Sequence, residues 1–321
     1  MLVSIIIPTF NSEKFLKETL DCAINQSYLF KEIIIVDDGS IDKTRLILKD
    51  YSDKYNFLRV YHQVNKGACN ARNFGFEMSK GELINFLDAD DLMDYNKIEK
   101  QVAIIKNSQD SIIGCNWIRF NTNISNTIGG LGPHVSIAQT LDAKSWLLKR
   151  YMMAQHAWLV PRSIINRSGL WNESITCNQD GEFYSRLISN SETVIFCNEV
   201  SVYYRASTNN NNVSTLNSYH KYESLFEVAV IYKKILLNKY GVSNDVRLSI
   251  GNYFRELAFN YFYPNYKKLY IKCLQQEEFK HGNVKPLLTG KSKLVSFFLG
   301  WKLVKRIQSS LIKKPSIIVL T

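Results

Sequence analysis

Through its first ninety residues the chain alternates short apolar runs with stretches in which apolar side chains recur every three or four positions. Residues 3–8 form a β-branched run. Phe15, Leu16, Leu20, Ala23 and Ile24 then fall on one face of a helix that Asn11 or Ser12 can cap. Further apolar runs at 32–36, 58–61 and 83–87 predict strands, and the periodic segments 42–51 and 68–78 between them predict helices. Strands alternating with helices at this spacing imply βαβ units and a mostly parallel sheet flanked by helices, an α/β fold of Rossmann-like kind.

The pattern changes beyond residue 95. A helix is expected over 96–106, a strand over 112–120, and a hairpin or mobile loop over 121–133, which is rich in Asn, Thr and Gly. Helices are predicted over 139–151, 163–168 and 180–189, and strands over 157–160, 193–197 and 201–205. Four consecutive Asn residues place a turn or loop at 207–214. From residue 219 onward the pattern is almost wholly helical, and no internal repeat is present.

Charge sharpens this division. The 321 residues carry a formal charge of +11. Residues 1–263 hold 28 basic and 27 acidic side chains, whereas 264–321 hold 12 basic and 2 acidic ones. A body this close to neutral lacks the basic surface that nucleic-acid phosphates demand, so nucleic acid is excluded as the expected partner. With 45% hydrophobic and 21% charged residues the composition is that of an ordinary globular chain. Six cysteines lie scattered without zinc spacing, and reduced thiols in a cytoplasmic protein are expected. No leader with basic, apolar and cleavage regions is recognisable, and no apolar stretch reaches the roughly 18–20 residues of a membrane span.

Two acidic clusters each follow a predicted strand. Asp37 and Asp38 precede Gly39 and Ser40, and Asp88, Asp90 and Asp91 surround Ala89. In an open parallel sheet, ligands bind beyond the carboxyl ends of the strands, so both clusters belong to one rim. Asp88 and Asp90, two residues apart in extended backbone, leave the same face, and carboxylate oxygens suit hard cations such as Mg²⁺ or Mn²⁺. Taken alone, this D-x-D spacing also describes a solvated turn of helix-capping aspartates.

Together the segments 3–11, 34–40, 65–73 and 81–91 resemble the family 2 glycosyltransferases of GT-A fold, with four motifs in the family's order. The likeness extends over most of residues 1–205. It implies a catalytic domain over 1–215, with a nucleotide-binding half at 1–110 and an acceptor half at 111–215, followed by a helical region at 216–321. It further implies that Pro8, Thr9 and Phe10 pack along a nucleotide base, that Asp38 reads the base edge, and that Arg72 lines the nucleotide pocket. Asp88 would contact ribose or metal, and Asp90 would hold the Mn²⁺ or Mg²⁺ that carries the diphosphate. Residues 178–187 are similar to the family's segment bearing the catalytic base, which makes Asp180 that base, with Gln179 where an acidic residue is usual. His156, Trp158 and Trp171 fall where the family builds its sugar and acceptor wall. The implied reaction is an inverting transfer from a nucleotide diphosphate sugar, expected to be UDP-linked, to a saccharide or lipid-linked saccharide in surface polysaccharide synthesis.

Residues 291–314 project Leu294, Phe297, Phe298, Trp301, Val304, Ile307, Leu311 and Ile312 onto one helical face, with Lys291, Lys302, Lys305, Arg306 and Lys313 opposite. Such a helix suits an anionic membrane surface, here the inner face of the cell membrane, in preference to the alternative of packing on the chain's own body. Two competing classes remain. A sugar-nucleotide nucleotidyltransferase would need a Gly-rich loop where Pro8, Thr9, Phe10 and Asn11 stand. A non-catalytic sugar-binding or scaffold protein would have no use for intact Asp38, Asp88, Asp90 and Asp180.

Overall fold

The computed structural model describes residues 1–321 except 107, 109, 123, 125–126, 132–139, 152, 207–215, 289–295, 297–299 and 312–321. The loop expected at 207–214 and much of the basic helix expected at 291–314 therefore lie outside the described residues. Chain contacts divide the molecule into two compact units. The first comprises residues 1–146, 151–173 and 186–210; the second comprises 147–150, 174–185 and 211–321.

The first unit is built on β1 (Val3–Thr9), β2 (Lys31–Asp37), β3 (Leu58–His62) and β4 (Leu83–Phe86). They lie in the order β3-β2-β1-β4, all parallel. Every residue of β1 is buried, and so are six of the seven in β2, because a parallel sheet covered by helices on both faces needs continuous apolar strands. Helices α1 (Leu16–Ile24), α2 (Thr44–Lys54) and α3 (Ala68–Met78) make the crossovers. A Cβ at Gly75 would stand 2.5 Å from Ile6 Cγ2, so glycine is what lets α3 lie against β1.

A second sheet carries the rest of this unit. It contains β5 (Leu92–Met93), β6 (Ser111–Phe120), β7 (Thr127–Leu131), β8 (Thr140–Asp142) and β10 (Thr193–Arg205). Strands β6 and β10 run parallel, while β5 and β8 pair antiparallel with β10, and β7 pairs antiparallel with β6. The strand β9 (Val160–Pro161) extends the first sheet antiparallel to β4, and a bridge between Ile113 and Leu159 joins the two sheets. Helices α4 (Lys97–Ile105), α5 (Ala143–Lys149), α6 (Arg162–Ser168) and α7 (Gln179–Ser189) complete the series before residue 200.

Several expectations change here. Asn11 and Ser12 do not cap α1, which begins at Leu16; they tie two loops together instead. The helix expected over 139–151 begins at Ala143, since residues 140–142 form β8 and pair with β10. The strands expected at 193–197 and 201–205 are one strand broken by a bulge. The strand expected over 157–160 is confined to Val160–Pro161, since Gln155–Ala157 form a helical turn.

The second unit is helical: α8 (Tyr219–Tyr240), α9 (Asn244–Glu256) continued by a π-helical turn over Leu257–Phe262, α10 (Lys267–Leu274) and α11 (Trp301–Leu311). Aromatic side chains pack it together, as where Tyr222 stacks on Tyr266 at 3.9 Å between ring centres. In α11, Trp301 meets Phe259 and Tyr263 edge-on, and Val304 is buried. Two apolar positions of the expected membrane face are thus used inside the unit, while Leu303 and Ile307 are exposed beside Lys302 and Arg306. No helix among the described residues is long and apolar enough to cross a membrane.

Candidate active site

At the carboxyl ends of β1 and β2, short loops lock together. The Asn11 N–H donates to Ser40 Oγ (2.9 Å), the Ile41 N–H to Asn11 Oδ1 (2.9 Å) and the Ser12 N–H to Thr44 Oγ1 (2.8 Å). Pro8 and Thr9 are buried, whereas Phe10 is half-exposed and Ile41 exposed, so both offer apolar surface at this rim. Asp37 is fully buried and accepts from the Ser40 N–H and Arg45 Nε, with His62 Nδ1 at 2.9 Å. Burial pushes its pKa upward, but the bonds from Ser40, His62 and Arg45 outweigh that and hold the carboxylate below its ordinary range.

Asp38 does different work. Its Oδ1 accepts from the Lys66 N–H (2.8 Å) and Gln63 Nε2 (2.7 Å), and its Oδ2 accepts from the Gly67 N–H (2.8 Å). Gly67, at φ 94°, needs its missing Cβ to make this turn into α3. A carboxylate has about four acceptor positions, so Asp38 fixes the turn and keeps capacity for one more donor.

The 88–91 turn follows β4. Arg72 on α3 donates to Asp88 Oδ1 at 3.0 Å, and its guanidinium lies 4.5 Å from the centre of the Trp171 ring. Trp171 in turn meets Phe86 edge-on at 5.3 Å. Its backbone is held on both sides by Asn73, whose Nδ2 donates to Trp171 O and whose Oδ1 accepts the Trp171 N–H, both at 2.9 Å. Glu173 adds bonds from Asn73 and Asn70. Sequence reasoning missed Asn73, because nothing in its local pattern announces a partner 98 residues away.

Arg205, at the end of β10, holds the same turn from the other side. Its backbone N–H donates to Asp91 Oδ1 (2.7 Å), its Nε to Asp90 O (2.7 Å), and it pairs with Glu18. Burial, with Asp88 beside it, pushes Asp90 up to about 6 against the pull of Arg205. Burial and the neighbouring Asp90 and Asp88 raise Asp91 well above the usual carboxylate range. His156 Nδ1 lies 3.2 Å from Asp91 Oδ2 but off the angle of a hydrogen bond. Burial and the nearby Lys97 lower the imidazole to about 3, which disfavours an imidazolium partner for Asp91.

His156, Trp158 and Trp171, the residues expected to form the sugar and acceptor wall, are buried. His156 is 0% exposed, Trp158 is 1% exposed with its ring edge-on to Trp146, and Trp171 is 3% exposed beneath Arg72. All three pack the interior in this conformation, and Trp171 acts on the rim through Arg72.

Asp180 belongs to the other unit. It is the second residue of α7, half-buried, and its Oδ1 accepts the Gly181 N–H at 3.0 Å. Among the described residues no three His, Cys, Asp or Glu side chains are placed to hold a metal ion. Asp88 and Asp90 nonetheless fit one: burial and the neighbouring Asp88 charge raise Asp90, and a cation between the two carboxylates would oppose that rise. Two carboxylates supplemented by phosphate and water oxygens are a usual Mg²⁺ arrangement.

A parallel sheet with carboxylates gathered beyond its strand ends, joined to a second, mixed sheet, is the arrangement in which open α/β folds bind ligands. The model of glycosyl transferase family 2 matches residues 4–169, and the chain belongs to that family. An uncharacterised glycosyltransferase of Rickettsia typhi is 31% identical over 228 residues, 70% of each chain. The S. aureus TarS fragment 1–349 solved with UDP-GlcNAc shares the fold at a TM-score of 0.72 and 17% identity, covering 97% of this chain and 92% of that one. The mannosyltransferase PcManGT of Pyrobaculum calidifontis, solved with GDP-Man and Mn²⁺, gives a TM-score of 0.57 at 13% identity over 96% and 84% of the two chains. The fold is accordingly that of the GT-A glycosyltransferases.

Proposed function

We propose that this glycosyltransferase moves a sugar, with inversion, from a UDP-linked donor to a hydroxyl of a saccharide or lipid-linked saccharide acceptor in surface polysaccharide synthesis. The observation that carries the donor reading is the gathering of Asp38, Arg72, Asp88 and Asp90 on one rim of a parallel sheet, where a nucleotide diphosphate is expected. The S. aureus TarS fragment solved with UDP-GlcNAc supports the choice of uridine.

On this reading Phe10 lies along the base, and the remaining acceptor capacity of Asp38 takes the imide N–H of uracil. Asp88 and Asp90 hold Mn²⁺ or Mg²⁺, which when bound neutralises the charge of the diphosphate. Arg72, braced by Trp171, fixes the Asp88 carboxylate and adds positive charge to the rim. Asp180 accepts the proton of the acceptor hydroxyl as that oxygen attacks the anomeric carbon, and no covalent enzyme intermediate is needed. The exposed Leu303 and Ile307, with Lys302 and Arg306 beside them, support a place at the inner face of an anionic membrane, where lipid-linked acceptors are found.

Nucleotide release from UDP-GlcNAc, UDP-glucose, UDP-galactose and GDP-mannose, each with and without Mn²⁺, tests the donor. Release from a UDP-sugar that chelation abolishes is expected. Equal release without any divalent ion would remove the metal, and release from GDP-mannose alone would remove uridine.

A further inference from the structure

The turn that delivers Asp180 into α7 is built by side chains from the C-terminal helices. Ser224, buried on α8, accepts the N–H groups of Thr176 and Cys177 and donates to Cys177 O, all at 3.1 Å. One hydroxyl has one proton and two lone pairs, so Ser224 is used to its full capacity on this segment. Two residues further on, Asn178 takes φ 59°, a backbone region that costs a non-glycine residue free energy unless the surroundings enforce it.

Tyr253 on α9 supplies part of that enforcement, its hydroxyl accepting from Asn178 Nδ2 at 3.2 Å. The Tyr253 ring is itself fixed, with the Arg150 guanidinium 4.5 Å from its centre and Tyr232 edge-on at 5.5 Å. Arg150 is held by Glu256 at the end of the same helix. A Cβ at Gly181 would come within 2.2 Å of Asn178 Oδ1, so the turn closes directly on the first residues of α7.

We infer that Ser224 and Tyr253 are positioning residues for Asp180, and that the C-terminal helical region is therefore part of the catalytic apparatus. This rests on the reading of Asp180 as the base. Neither residue touches the reactants; both set where the Asp180 carboxylate stands. A displacement of about 1 Å in a reacting group costs on the order of 10²-fold in rate, which is the size of effect such a clamp can control.

The test is a cycle of Ser224→Ala, Tyr253→Phe and Asp180→Asn in the full chain, read as steady-state nucleotide release from the best donor of the panel and as UDP affinity by calorimetry. Ser224→Ala and Tyr253→Phe should each lower kcat about 10-fold or more while UDP affinity stays within twofold. In the Asp180→Asn background the same changes should lower kcat no further, because there is no longer a base to misplace. A purely structural role would multiply with the Asp180→Asn loss and would overturn the inference. Wild-type kcat in Tyr253→Phe, a variant that removes one oxygen and keeps the packed ring, would also overturn it, whatever Ser224→Ala does to folding. If Asp180→Asn itself keeps wild-type kcat, the base reading fails instead, and the clamp loses its object.

Discussion

The sheet unit and the helical unit hold their candidate site carboxylates by opposite means. In the sheet unit, Asp38 is tied to the backbone N–H groups of Lys66 and Gly67, and the loops after β1 and β2 bond to one another across short connections. In the helical unit, the turn before Asp180 is tied by side chains 47 and 75 residues distant in sequence, Ser224 and Tyr253. A rim made from strand ends inherits its precision from the ladder. A turn outside any sheet must be held by groups recruited from elsewhere.

The largest expected effect tests the helical side. Asp180→Asn removes the proposed base and keeps the shape, so turnover should fall about 10²–10⁴-fold, the usual worth of general-base help. Steady-state nucleotide release measures it; wild-type turnover would leave the helical unit without its proposed role.

A smaller effect tests the sheet side. Asn73→Ala strips both bonds from the Trp171 backbone and should cost about 1–3 kcal/mol in urea unfolding, since buried partners are left unsatisfied. Because Trp171 braces Arg72, UDP affinity should drop as well, while kcat at saturating donor should change little. A variant that lost kcat and kept affinity would reverse the division between the two units.

The smallest effect lies in the sheet unit's core and should touch neither function. Lys97 is fully buried, its Nζ has no hydrogen-bond partner among the described residues, and burial lowers its pKa from 10.5 to about 8. Between those values the unfolded chain binds a proton that the folded chain does not, so folding gains stability as pH rises through that window. Below pH 8 the full penalty applies. Lys97→Met should therefore raise stability at pH 7 by roughly 1–2 kcal/mol, and the advantage should shrink toward zero as pH approaches 10.5. Paired thermal melts of variant and parent across pH 7–10 measure the difference.

These contrasts explain what could be read from the chain. The parallel core was legible because buried parallel strands demand unbroken apolar runs: β1 to β4 lie within a residue or two of their expected limits, and α3 spans the expected 68–78. The positions of Asp38, Asp88 and Asp90 after strands and of Arg72 on α3 were legible because each belongs to a contiguous motif. The Asn73 bracket, the Arg205 contacts and the Ser224 clamp were not, since each joins residues 47 or more positions apart and leaves no local period. The burial of His156 and Trp158 was not legible for a related reason. A polar or aromatic side chain in a motif-like stretch carries no sign of whether tertiary packing will cover it, and here it does.

The division of labour is tested most directly by titrating UDP calorimetrically, with and without Mn²⁺, into the parent chain, Asp180→Asn and Asp90→Asn. Asp180→Asn should bind UDP as the parent does, with the same gain from Mn²⁺, whereas Asp90→Asn should lose that gain. Parent-like Mn²⁺-dependent binding in Asp90→Asn, or lost UDP binding in Asp180→Asn, would contradict a donor rim in the sheet unit and a base in the helical one.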